Sequence, residues 1–390
     1  MKGVGLVRMD INVPVKNGKI DVENLRLREC AKTIETYSRN GIIPVIISHQ
    51  GRKGDDDYLE SMEQHASALN SLGSSVNFLY SDSLADDATK ARVASLKAGD
   101  ALLLKNLRSD PDEKARFESA LQARDCNLVK KLSPTAKFFI NDAAGNMHRP
   151  DTSQIGFKDV LPSYIGILME KELRTLDIMR KEMDSGKKTI LIFGGKKWEK
   201  LDYIYKMARR ENVRVLCGGI PGQSVAYVRN KPMFNKENED FLLKTGTLET
   251  AERLSTEFGE RIVPPTDFRL DGMENVGIRG LKESGKSIMD IGDETLDSFR
   301  KEMEGADMII YAGPVGRYEY GYNQTSKLID KMAGKASNCY ALGGNSADSI
   351  RYYGMEDRYL ASGGKILTSG GSGLAFLSGS ELPALEVFMQ

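Results

Sequence analysis

Arginines and small polar residues recur where apolar runs stop. The run 4–13 (VGLVRMDINV) finishes in Arg8, Asp10 and Asn12, and the run 42–47 leads into His49 and Arg52. The run 101–104 leads into Asn106 and Arg108, and 138–140 leads into Asn141, Asp142, His148 and Arg149. A helix expected over 22–40 exposes Arg26 and Arg28. A guanidinium is a permanent cation whose planar fork holds two oxygens at once. One such residue is usually a solvated loop arginine. Forks repeated after several strands suit a small ligand that carries both a carboxylate and a phosphate.

From residue 189 onward the pattern is different: strand, Gly-Gly, helix. TILIFGG (189–195), VRVLCGG (213–219), NCYALGG (338–344) and KILTSGG (365–371) repeat it, and Ile309-Ile310-Tyr311 runs into Ala312-Gly313-Pro314. Glycine lets a backbone approach a ligand closely and aim N–H groups and helix N-termini at phosphates. Several such turns in one region point to a nucleotide crevice. The stretch 280–287 (GLKESGKS) has the spacing of a P-loop, but no adequate strand precedes it and a short strand, 288–291, follows. It is read as a loop.

Positioning these residues requires two sets of parallel strands. Strands alternating with helices imply sheets covered on both faces, with ligands beyond the carboxyl ends of the strands. Between the halves lies 140–181, whose last third places Ile165, Leu168, Met169, Leu176 and Met179 at three- and four-residue steps. This predicts a connecting helix opened by Pro162 at a first-turn position. The expected domains are 1–160 rejoined by 381–390, a hinge helix over 161–183, and 184–380. A length of 390 residues accommodates two cores. Lys+Arg and Asp+Glu are both 55, so no net field favours nucleic acid or an anionic membrane, and any anion site must arise by local clustering. Cys30, Cys126, Cys217 and Cys339 are far apart and read as reduced thiols. A cytoplasmic protein is expected.

Together these segments resemble phosphoglycerate kinase in its compact archaeal form, over nearly the whole chain. VRMDINVP (7–14), ENLRLRE (23–29), SHQGR (48–52), LLLKNLR (102–108) and NDAAGNMHR (141–149) occur in the family's order, followed by GGKKW (194–198), PPTDF (264–268), DIGDET (290–295), AGPVGRYE (312–319) and LSGSELPALE (377–386). The resemblance implies two Rossmann-like domains and reversible phosphoryl transfer between ATP and the carboxylate of 3-phosphoglycerate, giving 1,3-bisphosphoglycerate and ADP, with Mg²⁺ accompanying the nucleotide. It implies that Asp10, Asn12, Arg26, His49, Arg52, Arg108 and Arg149 bind the acid. Arg26, Lys197, Gly370 and Gly371 would stabilise the transferring phosphoryl. Gly195, Lys197, Gly218, Gly219, Gly313, Pro314, Glu319, Gly343, Gly344, Asn345 and Ser346 would line the nucleotide site. A monomer is expected, with small-molecule substrates as its only partners.

The nucleotide half departs from the family's pattern. GGAK becomes Gly194-Gly195-Lys196-Lys197, NGP becomes Ala312-Gly313-Pro314, and GGGDS becomes Gly343-Gly344-Asn345-Ser346-Ala347-Asp348. The metal-associated aspartate is therefore represented either by Asp348 or by Ser346. A second ammonium beside Lys197 implies reliance on phosphate charge more than on polar recognition of the base. Two other functions fit the same residues: a catalytically silent relative that binds a phosphorylated acid, and a kinase for another small carboxylate. Retention of Arg26 and Lys197 argues against the first, and the unchanged arginine set against the second.

Overall fold

The computed structural model describes residues 1–115, 117, 120–195, 201–335 and 338–389. The chain divides into two compact units: Met1–Thr175 with Glu381–Gln390, and Leu176–Ser380.

Unit 1 is built on strands β1 (Gly3–Met9), β4 (Ile42–Ile47), β5 (Asn77–Ser81), β6 (Asp100–Leu104), β7 (Phe138–Asp142) and β8 (Ser163–Ile165). They form one parallel sheet in the order β5-β6-β4-β1-β7-β8. Alternate residues serve opposite faces, as a period of two requires. Leu6, Val45, Ile47, Leu102, Leu104 and Phe139 pack into one core. Val7, Met9, Ile42, Ile46, Leu103 and Ile140 pack into another. A small hairpin, β2 (Val15–Lys16) and β3 (Lys19–Ile20), lies between β1 and the helix Leu25–Arg39. Its turn is Asn17-Gly18, both with positive φ (52° and 70°), the dipeptide that two-residue hairpins favour.

Unit 2 carries β9 (Thr189–Phe193), β10 (Val213–Cys217), β11 (Ile262–Val263), β15 (Met308–Ala312), β16 (Cys339–Leu342) and β17 (Lys365–Leu367). The parallel order is β11-β10-β9-β15-β16-β17, so the direction of winding reverses between β9 and β15. Such a switch point is where open α/β sheets leave a crevice for ligands. A separate antiparallel sheet, β13-β12-β14, is made of β12 (Asp267–Leu270), β13 (Asn275–Gly277) and β14 (Ile288–Ile291).

Two expectations change. Pro162 does not open the long helix: β8 intervenes, and the helix runs Ile167–Asp184. Its N-terminus is satisfied by a distant carboxylate. Asp142, at the end of β7, accepts from the Met169 amide at 2.7 Å and from the Tyr37 hydroxyl at 2.6 Å. The stretch with P-loop spacing is also not wholly a loop. It contains one helical turn, Leu281–Ser284, ended by Gly285 in the left-handed region (φ 56°) before β14. No phosphate loop of strand, glycines and long helix exists there.

Candidate functional site

In unit 1 the strand ends bring most of the expected residues together. Arg26 sits in the first turn of the helix Leu25–Arg39, whose start is fixed by the Asn24 side chain accepting from the Arg26 amide. From there its Nη1 donates to the Asn12 carbonyl at 2.6 Å and pairs with Asp10 at 3.4 Å. The Asn12 side-chain oxygen accepts from the Gly51 amide at 2.9 Å, and Arg108 donates to the Gly51 carbonyl. Residues after β1, β4 and β6 thus form one connected edge.

His49 is buried at the end of β4. Burial, then the charges of Arg8, Arg108, Arg149 and Arg26, hold its imidazole well below the usual histidine range. Arg108 is 8% exposed, and its Nε and Nη2 are buried without hydrogen-bond partners. Burial brings its guanidinium down to about 10. Arg149 is half-buried after β7, whereas Arg52 lies on the exposed turn that follows Gly51.

By sequence Arg8 is one strand-end residue among several, and the structure makes it central. It is fully buried within β1, donating through Nε to Ser153 Oγ at 2.8 Å and approaching Glu113 at 3.9 Å. Glu113 accepts from the Ser153 hydroxyl at 2.8 Å and amide at 3.0 Å, and burial pushes its carboxyl up to about 7. The signal was present: an arginine inside VGLVRM must be paired when the strand is buried on both faces. Glu113 and Ser153 carried no comparable signal.

In unit 2 the glycine turns meet at the carboxyl ends of β9, β10, β15, β16 and β17. Many of these glycines approach one another. A Cβ on Gly194 would lie 2.1 Å from the Pro314 carbonyl, which already accepts from the Gly195 amide at 2.8 Å. Gly219 donates to the Val315 carbonyl at 2.7 Å and Gly218 to Phe193 at 2.7 Å, which locks the turn after β10 against its neighbours. A Cβ on Gly343 would fall 2.7 Å from the Gly370 Cα. Gly344, in contrast, faces open space. The helices Gly219–Arg229, Gly344–Tyr352 and Gly371–Leu377 begin at this edge. The dipole of a helix N-terminus favours anions, although at Gly219–Arg229 the first two N–H groups already go to the Val315 and Gly195 carbonyls.

Ser346 is buried with its hydroxyl donated to the Leu342 carbonyl at 3.0 Å. Asn345 and Glu319 are exposed. Asp348 pairs with Arg351 at 3.7 Å. Among the described residues, no three of His, Cys, Asp and Glu gather into a metal cage. Lys196, Lys197 and Trp198 lie outside the described residues. PPTDF and DIGDET prove to be one structural device: Asp267 accepts from the amides of Glu294 and Thr295 at 3.0 and 2.8 Å, capping the helix Asp293–Met303.

The phosphoglycerate kinase family model matches residues 2–380. The chain belongs to the phosphoglycerate kinase family. It is 32% identical to the phosphoglycerate kinase of Methanopyrus kandleri, over 98% of this chain and 94% of that one. The Pyrococcus horikoshii phosphoglycerate kinase is 31% identical over 97% and 93%. The crystal structure of phosphoglycerate kinase from Pyrococcus horikoshii OT3 superposes with a TM-score of 0.85, covering 99% of this chain and 96% of that one at 30% identity. That from Coxiella burnetii, 22% identical, shares the fold with a TM-score of 0.68. The chain is a phosphotransferase with phosphoglycerate kinase activity. Among the described residues no helix is long and apolar enough to cross a membrane.

Proposed function

We propose that the arginine-lined edge of unit 1 holds 3-phosphoglycerate and the glycine-lined edge of unit 2 holds ATP or ADP. Arg108 carries the first assignment. A buried guanidinium with two unpartnered nitrogens is costly, and an anionic ligand supplies the missing charge and acceptors. Arg149 and Arg26 lie near the same position, as their joint effect with Arg108 on the buried His49 indicates. Asp10 and Asn12 hold Arg26 and the Gly51 turn in place, and Arg52 reaches from the exposed side.

The reaction follows from charge and position. A carboxylate oxygen of 3-phosphoglycerate attacks the γ-phosphorus, the bond to the β,γ-bridging oxygen breaks, and ADP leaves with the electron pair. A carboxylate is already a nucleophile, so no general base is needed. Arg26 stabilises charge on the equatorial oxygens, with Lys197 and the backbone N–H groups at Gly370 and Gly371 in the same role. Unit 2 relies on main-chain donors and helix N-termini for the phosphates.

Mg²⁺ enters with the nucleotide, where one or two protein carboxylates suffice. Asp348 is the candidate, but Arg351 already neutralises it. The described residues make no resident metal site, and no step above depends on one.

A coupled assay with 3-phosphoglycerate and a panel of nucleoside triphosphates tests the assignment. The expected result is Mg²⁺-dependent turnover. Folded protein that turns over none of them sinks the assignment of these substrates to the two edges.

A further inference from the structure

The line of buried groups behind His49 has no part in the chemistry above. Glu113 accepts from Ser153, Ser153 accepts from Arg8, and Arg8 Nη2 lies 2.8 Å from His49 Nδ1. Four residues from β1, β4 and two later segments are thus tied in sequence, and all are buried.

A guanidinium has only donors. At 2.8 Å, Nδ1 of His49 must therefore be the acceptor, so it bears no proton and the ring is neutral with its hydrogen on Nε2. We propose that Arg8 is a positioning residue that fixes His49 as the neutral Nε2–H tautomer, so that Nε2 donates a directed hydrogen bond to the bound acid. This rests on the reading that unit 1 holds 3-phosphoglycerate.

The arrangement solves a problem of charge. An imidazolium would stand among Arg8 from β1, Arg108 beyond β6, Arg149 beyond β7 and Arg26 on the helix Leu25–Arg39, all of which oppose its protonation, as does burial. Nearby carboxylates are engaged elsewhere, Glu113 with Ser153 and Asp10 with Arg26. A neutral donor keeps the attraction of a hydrogen bond without a fifth positive charge. It also removes histidine titration from acid binding at mildly acidic pH, where a free imidazole would gain a proton. Glu113 aims Arg8 through Ser153 and by its charge, with Oε1 3.9 Å from the same Nη2 that meets His49 at 2.8 Å.

The test is ¹⁵N imidazole NMR of the full chain, without ligand, from pH 5 to 8. The chain has three histidines, so His49→Gln assigns the signals. The expected result is a single neutral Nε2–H pattern for His49 across that range. An Nδ1–H ring, a tautomer mixture, or protonation near pH 6.5 overturns the proposal. In Arg8→Gln the ring should become a tautomer mixture that protonates at higher pH. KM for 3-phosphoglycerate should rise about tenfold, the worth of one hydrogen bond, with a smaller change in kcat. If loss of Arg8 unfolds the chain by stranding Glu113, Arg8→Gln with Glu113→Gln removes the orphaned charge and carries the same expectation. Variants that lower Tm yet leave the His49 tautomer untouched make Arg8 purely structural and overturn the proposal. Absence of turnover with 3-phosphoglycerate would instead defeat the substrate assignment and leave the NMR result standing.

Discussion

On the proposed assignment, unit 1 would hold its ligand with side chains and unit 2 with backbone, and the two solutions would tolerate change differently. In unit 1, Arg26 is held by the Asn12 carbonyl and the Asp10 carboxylate, Arg108 by the Gly51 carbonyl and His49 by the Arg8 guanidinium, with donors of Arg108 left over. Each residue is legible by type, and on the proposed reading the two arginines are hard to replace because their charge would hold the ligand, and His49 because its neutral ring would donate to it. In unit 2 the strand ends are glycines pressed against glycines and carbonyls, and the donors are main-chain N–H groups. Here a side chain can change, as at Ala312 and Asn345, provided the backbone path survives. The family's pattern is accordingly kept in unit 1 and altered in unit 2.

The largest expected effect is in unit 1. Arg26→Ala should lower kcat by roughly a hundredfold or more, because the lost donor acts on the transition state. Steady-state kinetics at saturating acid substrate check it, and an unchanged kcat with raised KM alone would reduce Arg26 to a binding residue like its neighbours.

The backbone account of unit 2 is sharpened by two alanines. Gly194→Ala puts a methyl against the Pro314 carbonyl and should destabilise unit 2 by about 1–3 kcal/mol, the usual cost of overpacking a filled site. Gly344→Ala meets nothing within 4 Å, so Tm should stay put while KM for the nucleotide rises about tenfold, a single lost phosphate contact. Thermal unfolding and nucleotide titration together separate the two, and a neutral Gly344→Ala would remove that glycine from the nucleotide edge.

The smallest effect concerns a carboxylate that unit 2 buries for structure. Asp290 accepts from the Ile291 and Gln324 amides at 2.8 and 3.2 Å, and burial pushes it up to about 7. A carboxyl raised on folding is protonated in the native state before the unfolded one, so its contribution is favourable at low pH and is lost as pH rises through about 7. Asp290→Asn should flatten this slope, and because its NH2 would face one of the two amide donors it should lower Tm, more at pH 5 than at pH 8, by roughly 2–4 °C per kcal/mol for a domain of this size. Melting curves at pH 5 and 8 check the sign. A variant that loses stability equally at both would mean that the ionised carboxylate is needed there.

The α/β class, the strand positions and the arginines at strand ends were legible because they depend on local rules: hydrophobic period, turn residues, and charges that cannot be buried in a run. The hairpin at Asn17-Gly18 depends on the same local rules. The family's motif order identified the activity. Other features depend on which strand lies beside which. Arg8 meets His49 across 41 residues and Ser153 across 145, a pairing created by the order β4-β1-β7 and invisible to any window of sequence. The helix Ile167–Asp184 begins where Asp142 reaches its amides, after β8, and Pro162 offered only a local imitation of that start. Glycine after a strand reads as room for a ligand, but only the packed chain shows that Gly194 makes room for Pro314 and Gly344 for nothing in the protein itself. Local chemistry determined what each residue could do, and the tertiary structure decided which partner it does it with, because hydrogen bonds and steric contacts act over a few ångströms in space whatever their separation along the chain.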